Sequence, residues 1–267
     1  TGLTNGQTFR FKVSATNLLG IGPNSALSNA VTVAAPATTT APVVSLTVPS
    51  GPVSTTAVPV ALNWTGTNAT AYELQQSVGG AAFADIAGCT SAAPCAGTSV
   101  TVSVKPSPTN GAVTTYRYQV RATNAAGTFG AYTAGPTFSV PATDNTGGFS
   151  FNGGWSGVNV AGAYNGSVHE SSTAGAFAQN STALAGATVA WVSTLGPDRG
   201  MATVSVDGGP ATTVDLYSPT LKPATLVWQA TNLGTVTGHT IRVTVLSTRN
   251  AASTGNKVDI DAYLGLK

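Results

Sequence analysis

The chain has 267 residues, a formal net charge of +2, 42% hydrophobic residues and only 7% charged ones. A core of ordinary size is therefore available, and a disordered chain, a basic nucleic-acid track and a patch for anionic membranes are excluded. Charged residues usually make up roughly a quarter of a soluble protein; here Thr, Ser, Asn, Gly and Ala must cover the surface, which suits a secreted, extracellular protein. No apolar stretch approaches the ~20 residues that cross a bilayer as a helix, so no membrane insertion is expected.

In chain order the first feature is an internal repeat. Phe9-Arg-Phe-Lys-Val-Ser-Ala-Thr-Asn-Leu-Leu-Gly20 matches Tyr116-Arg-Tyr-Gln-Val-Arg-Ala-Thr-Asn-Ala-Ala-Gly127. Both copies alternate with period two and end at an Asn-x-x-Gly turn, so each predicts a half-buried strand and a tight turn. Each copy resembles the F strand and F–G turn of a fibronectin type III domain, with Tyr116 at the family's corner position and Phe9, lacking the hydroxyl, in the same place. Residues 1–35 leave room for two strands of such a sandwich, and two strands alone are marginal. The expectation is a partial type III domain over 1–35, completed by missing upstream sequence or by another chain.

Ala35–Pro42 reads as a Pro/Thr linker. Residues 42–141 then predict one complete type III sandwich, with strands near 43–48, 58–65, 72–77, 99–104, 116–123 and 137–140 and with Trp64 in the core. Cys89 and Cys95, with no third cysteine and no histidine nearby, predict a disulfide, hence an oxidising compartment. Such a short loop adds about 2 kcal/mol by chain entropy.

Pro141–Gly148 reads as a second linker. Beyond it, strands are expected near 188–193, 201–207, 212–217, 224–230, 239–246 and 257–264. The central feature is the hairpin across Asp207-Gly208-Gly209, flanked by alternating Met201–Val206 and Thr212–Tyr217. The fold class is all-β: tandem β-sandwiches, the last one a jelly roll over 148–267. The pieces Tyr164-Asn-Gly-Ser167, Gly196-Pro-Asp-Arg-Gly200, Val206-Asp-Gly208, Val214-Asp-Leu-Tyr217, Gly238-His-Thr240 and Val258-Asp-Ile-Asp-Ala262 resemble a jelly-roll module common at the C-terminal ends of secreted bacterial enzymes. That resemblance implies a carbohydrate-binding or galactose-binding-like fold.

Sugars offer apolar C–H faces and many hydroxyls, so a site needs an aromatic platform and a few polar partners. Trp155, in Phe-Asn-Gly-Gly-Trp-Ser-Gly, is the expected platform. Tyr164, Arg199, Asp215 and Tyr217 complete the candidate ligand set. Asp259 and Asp261 sit where a strand disfavours Asp, and the jelly-roll resemblance nominates them, with Glu170, as ligands of a structural calcium ion, the one cofactor considered. No G-x-S-x-G elbow and no H-E-x-x-H motif is present, and the expectation is that the chain is not an enzyme. The functional expectation is a non-catalytic part of a secreted multidomain protein, whose type III spacers present a jelly roll that tethers the upstream domains to polysaccharide or cell-wall glycan. The alternative is an assembly protein, such as an appendage, adhesin or virion fibre, whose β domains bind other copies.

Overall fold

The computed structural model describes residues 2–108, 111–234 and 238–267, and every regular element in it is a β-strand. Thr1, the start of the expected partial sandwich, lies outside the described residues. Residues 6–33 form one long antiparallel hairpin: Phe9 pairs with Val31, and Ser28, Ser25 and Gly22 donate in turn to the carbonyls of Phe11, Val13 and Ala15. Nothing covers it. Of the twelve exposed large hydrophobics among the described residues, eight lie between Leu3 and Val31.

The middle sandwich packs a three-stranded sheet (43–45, 58–63, 99–104) on a four-stranded one (71–78, 84–85, 116–123, 133–134). The alternation of Val58, Val60 and Leu62 against Tyr116, Tyr118 and Val120 fills the space between them, and all six are at most 5% exposed. Trp64 packs edge-on to Tyr72 at 5.6 Å in the same core. The Tyr116 hydroxyl accepts from Lys105 N at 2.8 Å and donates to Lys105 O at 3.3 Å, pinning the chain that leaves the third strand. Cys89 and Cys95 are joined as a disulfide.

The stretch expected as the first linker is docked. Thr38–Thr39 pairs with Gly66–Thr67, and Ala37 is 1% exposed. Gly130 makes room for it, since a Cβ there would lie 2.0 Å from the Ala37 carbonyl oxygen. The second expected linker is a strand: Pro141–Asp144 pairs antiparallel with the final strand, Ala262–Leu266.

The C-terminal sandwich has two main sheets. The seam sheet runs in the order 107–108, 141–144, 262–266, 188–195, 222–230. The open sheet runs 149–152, 177–180, 241–245, 201–206, 212–215, with a smaller sheet of 156–159, 167–171 and 258–260 beside the seam sheet. The expected central hairpin is present. Asp207 and Gly208 both take positive φ, 52° and 71°, as a two-residue turn matching strand twist requires.

The run Thr188-Val-Ala-Trp-Val-Ser-Thr-Leu195 is continuous in apolar character because both faces of its sheet are covered. Val189 and Trp191 pack toward the open sheet. Ala190 and Val192, with Ala224, Leu226, Ala262 and Leu264, pack on the far side in the same core as Leu62, Val104 and Val140. The middle sandwich also caps both ends of this sheet. Ser50 and Leu226 exchange backbone hydrogen bonds at one edge, and Ser139 and Lys267 do so near the other. A single expected strand over 257–264 is broken into 258–260 and 262–266, so the chain crosses between sheets at Asp261.

One polar cluster lies on the outer face of the four-stranded sheet. Glu73 is 2% exposed and paired with Arg121 at 2.6 Å, and it accepts from the Tyr132 hydroxyl. The Arg121 guanidinium lies between the rings of Phe129 and Tyr132, 4.4 and 4.5 Å from their centroids. Removing Arg121 would leave a buried carboxylate without a counter-charge, which costs about 3 kcal/mol. Arg121→Met is therefore expected to lower the urea midpoint sharply without altering the slope. An unchanged midpoint would show that the pair carries no stability.

Candidate functional site

The unusual strand aspartates define the interior of the C-terminal sandwich. Asp259 is fully buried. One of its oxygens accepts from Ser193 Oγ at 2.9 Å and Thr194 N at 3.0 Å; the other lies 3.0 Å from Arg199 Nη1. Arg199, 4% exposed, also reaches Glu170 and Asp198, each at 3.5 Å. Lys257 closes the rim against Asp198 at 3.2 Å and Glu170 at 3.7 Å. Burial pushes the Asp259 carboxyl above its ordinary range, and Arg199 opposes that.

This geometry corrects two expectations. Arg199 is not an open ligand contact but the internal counter-charge of Asp259. Glu170, Asp259 and Asp261 do not form a calcium site. The first two face the Arg199 guanidinium, and the third accepts from Tyr164 N instead. Among the described residues no group of three or more Asp, Glu, His or Cys side chains is placed to hold a metal ion.

Asp261 is also fully buried, and both its oxygens accept from Tyr164 N at 3.0 Å. Burial raises its pKa to about 8; the Tyr164 N–H works against the rise, and the nearby Asp259 and Asp144 charges add to it. Tyr164 is 7% exposed and lies at the seam rather than on an open face. Trp155, the expected platform, is half-buried, with its ring against Phe151 at 5.6 Å and its Nε1 enclosed without a hydrogen-bond partner among the described residues. It belongs to a packed row with Phe149, Phe151 and His169, whose imidazole stacks on Phe151 at 4.4 Å. Burial holds His169 below its ordinary pKa against the opposing Asn145 contact.

Asp215 and Tyr217 stay together at one end of the open sheet. The Asp215 carboxylate accepts from Tyr217 N at 2.9 Å and Asn250 Nδ2 at 2.7 Å. His239 has Nδ1 at 2.6 Å from Asp207 Oδ2. Burial pushes Asp207 up, but that contact and the Thr240 N–H hold it below the usual carboxylate range. The turn of the central hairpin is thereby tied to the strand entering at Thr240. The candidate ligand residues thus divide: Asp215 and Tyr217 at the open sheet, Arg199 inside, Trp155 in an aromatic row and Tyr164 at the seam.

Sequence reasoning passed over the broad outer face of the open sheet. Asn152, Phe177, Thr244, Thr203 and Thr213 lie in one cross-strand row, each paired in register with the next. Ser150, Gln179, Arg242 and Ser205 form the row beside it. The Arg242 guanidinium stacks on Phe177, 3.6 Å from the ring centroid, and has no carboxylate partner among the described residues. The available signal was the alternation of Phe177-Ala-Gln-Asn180 and Ile241-Arg-Val-Thr-Val245, which puts these side chains on the solvent side once the apolar positions face inward.

No family model matches the chain, and no curated protein matches it. Solved structures do. A two-domain esterase active on acetylated mannans, co-crystallised with mannopentaose, aligns with a TM-score of 0.37 at 12% identity over 48% of this chain and 37% of its own. A Paenibacillus xanthan lyase aligns at 0.33 and 13% identity over 79% of this chain and 19% of its own. An exo-β-1,3-galactanase from Phanerochaete chrysosporium, with β-1,3-galactotriose, aligns at 0.32 and 14% over 97% and 62%. The chain spans less than two thirds of each. The expectation that the chain is not an enzyme is corrected by these matches, because all three are enzymes.

The raised Asp261 pKa sets a pH dependence with a definite sign. Its unfolded value is about 3.9 and its folded value about 8, so between these the folded state holds the extra proton. The contribution is complete below the unfolded value and is lost as pH rises through the folded one. Asp261→Asn, which keeps an acceptor for Tyr164 N, is expected to flatten the fall in stability between about pH 4 and 8. An unchanged slope in a pH series of urea unfolding would contradict it.

Proposed function

We propose that the C-terminal sandwich is a glycan-binding module and that the middle sandwich is the body that holds it in place. The observation that carries this reading is the open sheet face: two rows of hydroxyl and amide side chains around the Phe177–Arg242 stack, with little charge. Hydroxyls and amides exchange hydrogen bonds with sugar hydroxyls, and a stacked guanidinium offers donors in a fixed plane. The opposite face of the sandwich is taken by the seam, so this is the broad face left to a polymer. In the same reading the middle sandwich, residues 42–141, is a fibronectin type III domain. Its three-plus-four sheet arrangement and the Tyr116 hydroxyl bound to the Lys105 backbone support this. Residues 148–267 are the jelly roll, and the whole lies in a secreted protein that it anchors to polysaccharide or cell wall.

The exposed hairpin favours a second reading for the N-terminal part. Its apolar positions match those that the middle sandwich buries, so residues 1–35 are half of a further type III domain whose other sheet comes from elsewhere. If that sheet came from another copy, the protein would assemble, and size-exclusion chromatography would find a defined oligomer instead of a monomer.

The test is retention of the full chain on a panel of insoluble and soluble polysaccharides. Saturable binding is expected, weakened about tenfold in Phe177→Ala and in Arg242→Gln, with the loss of one or two polar and stacking contacts. Trp155→Ala is expected to lose stability instead of affinity. A folded chain retained on no glycan would overturn the reading.

A further inference from the structure

A cavity of about 320 Å³ opens where the two sandwiches meet. The middle sandwich contributes Thr55, Lys105, Ala112 and Thr114; the C-terminal sandwich contributes Asp144 and Tyr164. The geometry points to this cavity as a second saccharide site, one that takes a single pyranose ring at a glycan chain end. The inference rests on the glycan-binding reading for the class of its ligand, but it uses different residues.

Its walls are fixed before any ligand arrives. Tyr164 is held by its own N–H on Asp261 and by its carbonyl, which accepts from Thr55 N at 3.3 Å. The Lys105 backbone N–H and C=O are held by the Tyr116 hydroxyl. Thr114 N donates to Ser107 Oγ at 2.9 Å, and Ser107 N donates to Val140 O at 2.7 Å, which ties this loop to the strand bearing Asp144. The Asp144 carboxylate is oriented by Thr146 and by Asn165 Nδ2 at 3.1 Å.

What these walls present suits a sugar ring. Tyr164 is 7% exposed, yet its hydroxyl makes no hydrogen bond among the described residues. The hydroxyl is not one of the sealed polar atoms, so it stays open at the cavity to pair with a ligand hydroxyl. The ring gives an apolar wall for C–H groups, Asp144 accepts from hydroxyls, and Thr55, Thr114 and Lys105, which has no carboxylate partner among the described residues, add donors. The volume lies at the small end of ligand pockets, and such pockets favour domain interfaces. One cation and one carboxylate do not suit a phosphate.

The test is titration of the full-length chain with methyl glycosides of glucose, galactose, mannose and glucuronic acid, followed by calorimetry and saturation-transfer NMR. At least one is expected to bind saturably. Tyr164→Phe, which removes only the hydroxyl, and Ala112→Phe, which fills the cavity from its rim, should each weaken it about tenfold or more. Binding of no glycoside by the wild type, or binding undiminished in both cavity variants, overturns the inference. If polysaccharide retention then persists and still depends on Phe177, the sheet-face reading stands alone; if retention is absent as well, both fall.

Discussion

The rest of the molecule depends on one buried seam. The sheet that holds residues 188–195 and 262–266 is apolar on both faces, and one face belongs to the core of the middle sandwich. Burying a Val or Leu side chain contributes about 1.5–3 kcal/mol, and Val192, Leu226 and Leu264 are each fully enclosed there. Exposing that face would open a contiguous apolar patch of the kind soluble monomers avoid. The backbone agrees with the packing, because the middle sandwich hydrogen-bonds to both ends of the seam. The consequence for function is geometric: the C-terminal sandwich does not swing on a tether, and its free broad face and the seam cavity keep a fixed relation.

The second constraint is the stretch Val258-Asp-Ile-Asp-Ala262. Two carboxylates two positions apart along the chain are driven inside and solved in different ways. Asp259 receives Arg199 and two hydrogen-bond donors. Asp261 receives one backbone N–H, and burial raises its pKa to about 8. A buried ion pair is weak evidence for stability, but its register specifies which loop meets which strand. Here it fixes the Gly196–Gly200 turn against the strand that changes sheets. Loss of either partner would be felt in the alignment of the whole small sheet.

Much of this was legible in sequence. Period-two patterns gave the strands at 58–63, 99–104 and 116–123 closely, and Asp207-Gly208 gave the central hairpin, because turn chemistry and alternation are local signals. The strands at 141–144, 149–152, 156–159, 167–171 and 177–180 were missed. They are short, most carry Ser, Gly or Asn, and 141–144, 149–152 and 167–171 take partners distant in the chain. Pro141–Asp144 looks like a linker until its pairing with Ala262–Leu266 is known. The strand aspartates were recognised as anomalous, but sequence does not say whether an oxygen-rich cluster meets a metal or an arginine. Trp155 was read as exposed because its neighbours are glycines; in the fold those glycines let the ring turn inward onto Phe151.

The central claim is that the middle and C-terminal sandwiches share a core and form one body. Scanning calorimetry of the full chain, compared with residues 148–267 alone, tests it most directly. The account predicts one cooperative transition covering both sandwiches, and a 148–267 fragment that lacks a native transition, because it has lost the 141–144 strand and bares the seam face. Two separate transitions, one of them reproduced by the isolated fragment at the same temperature, would contradict it.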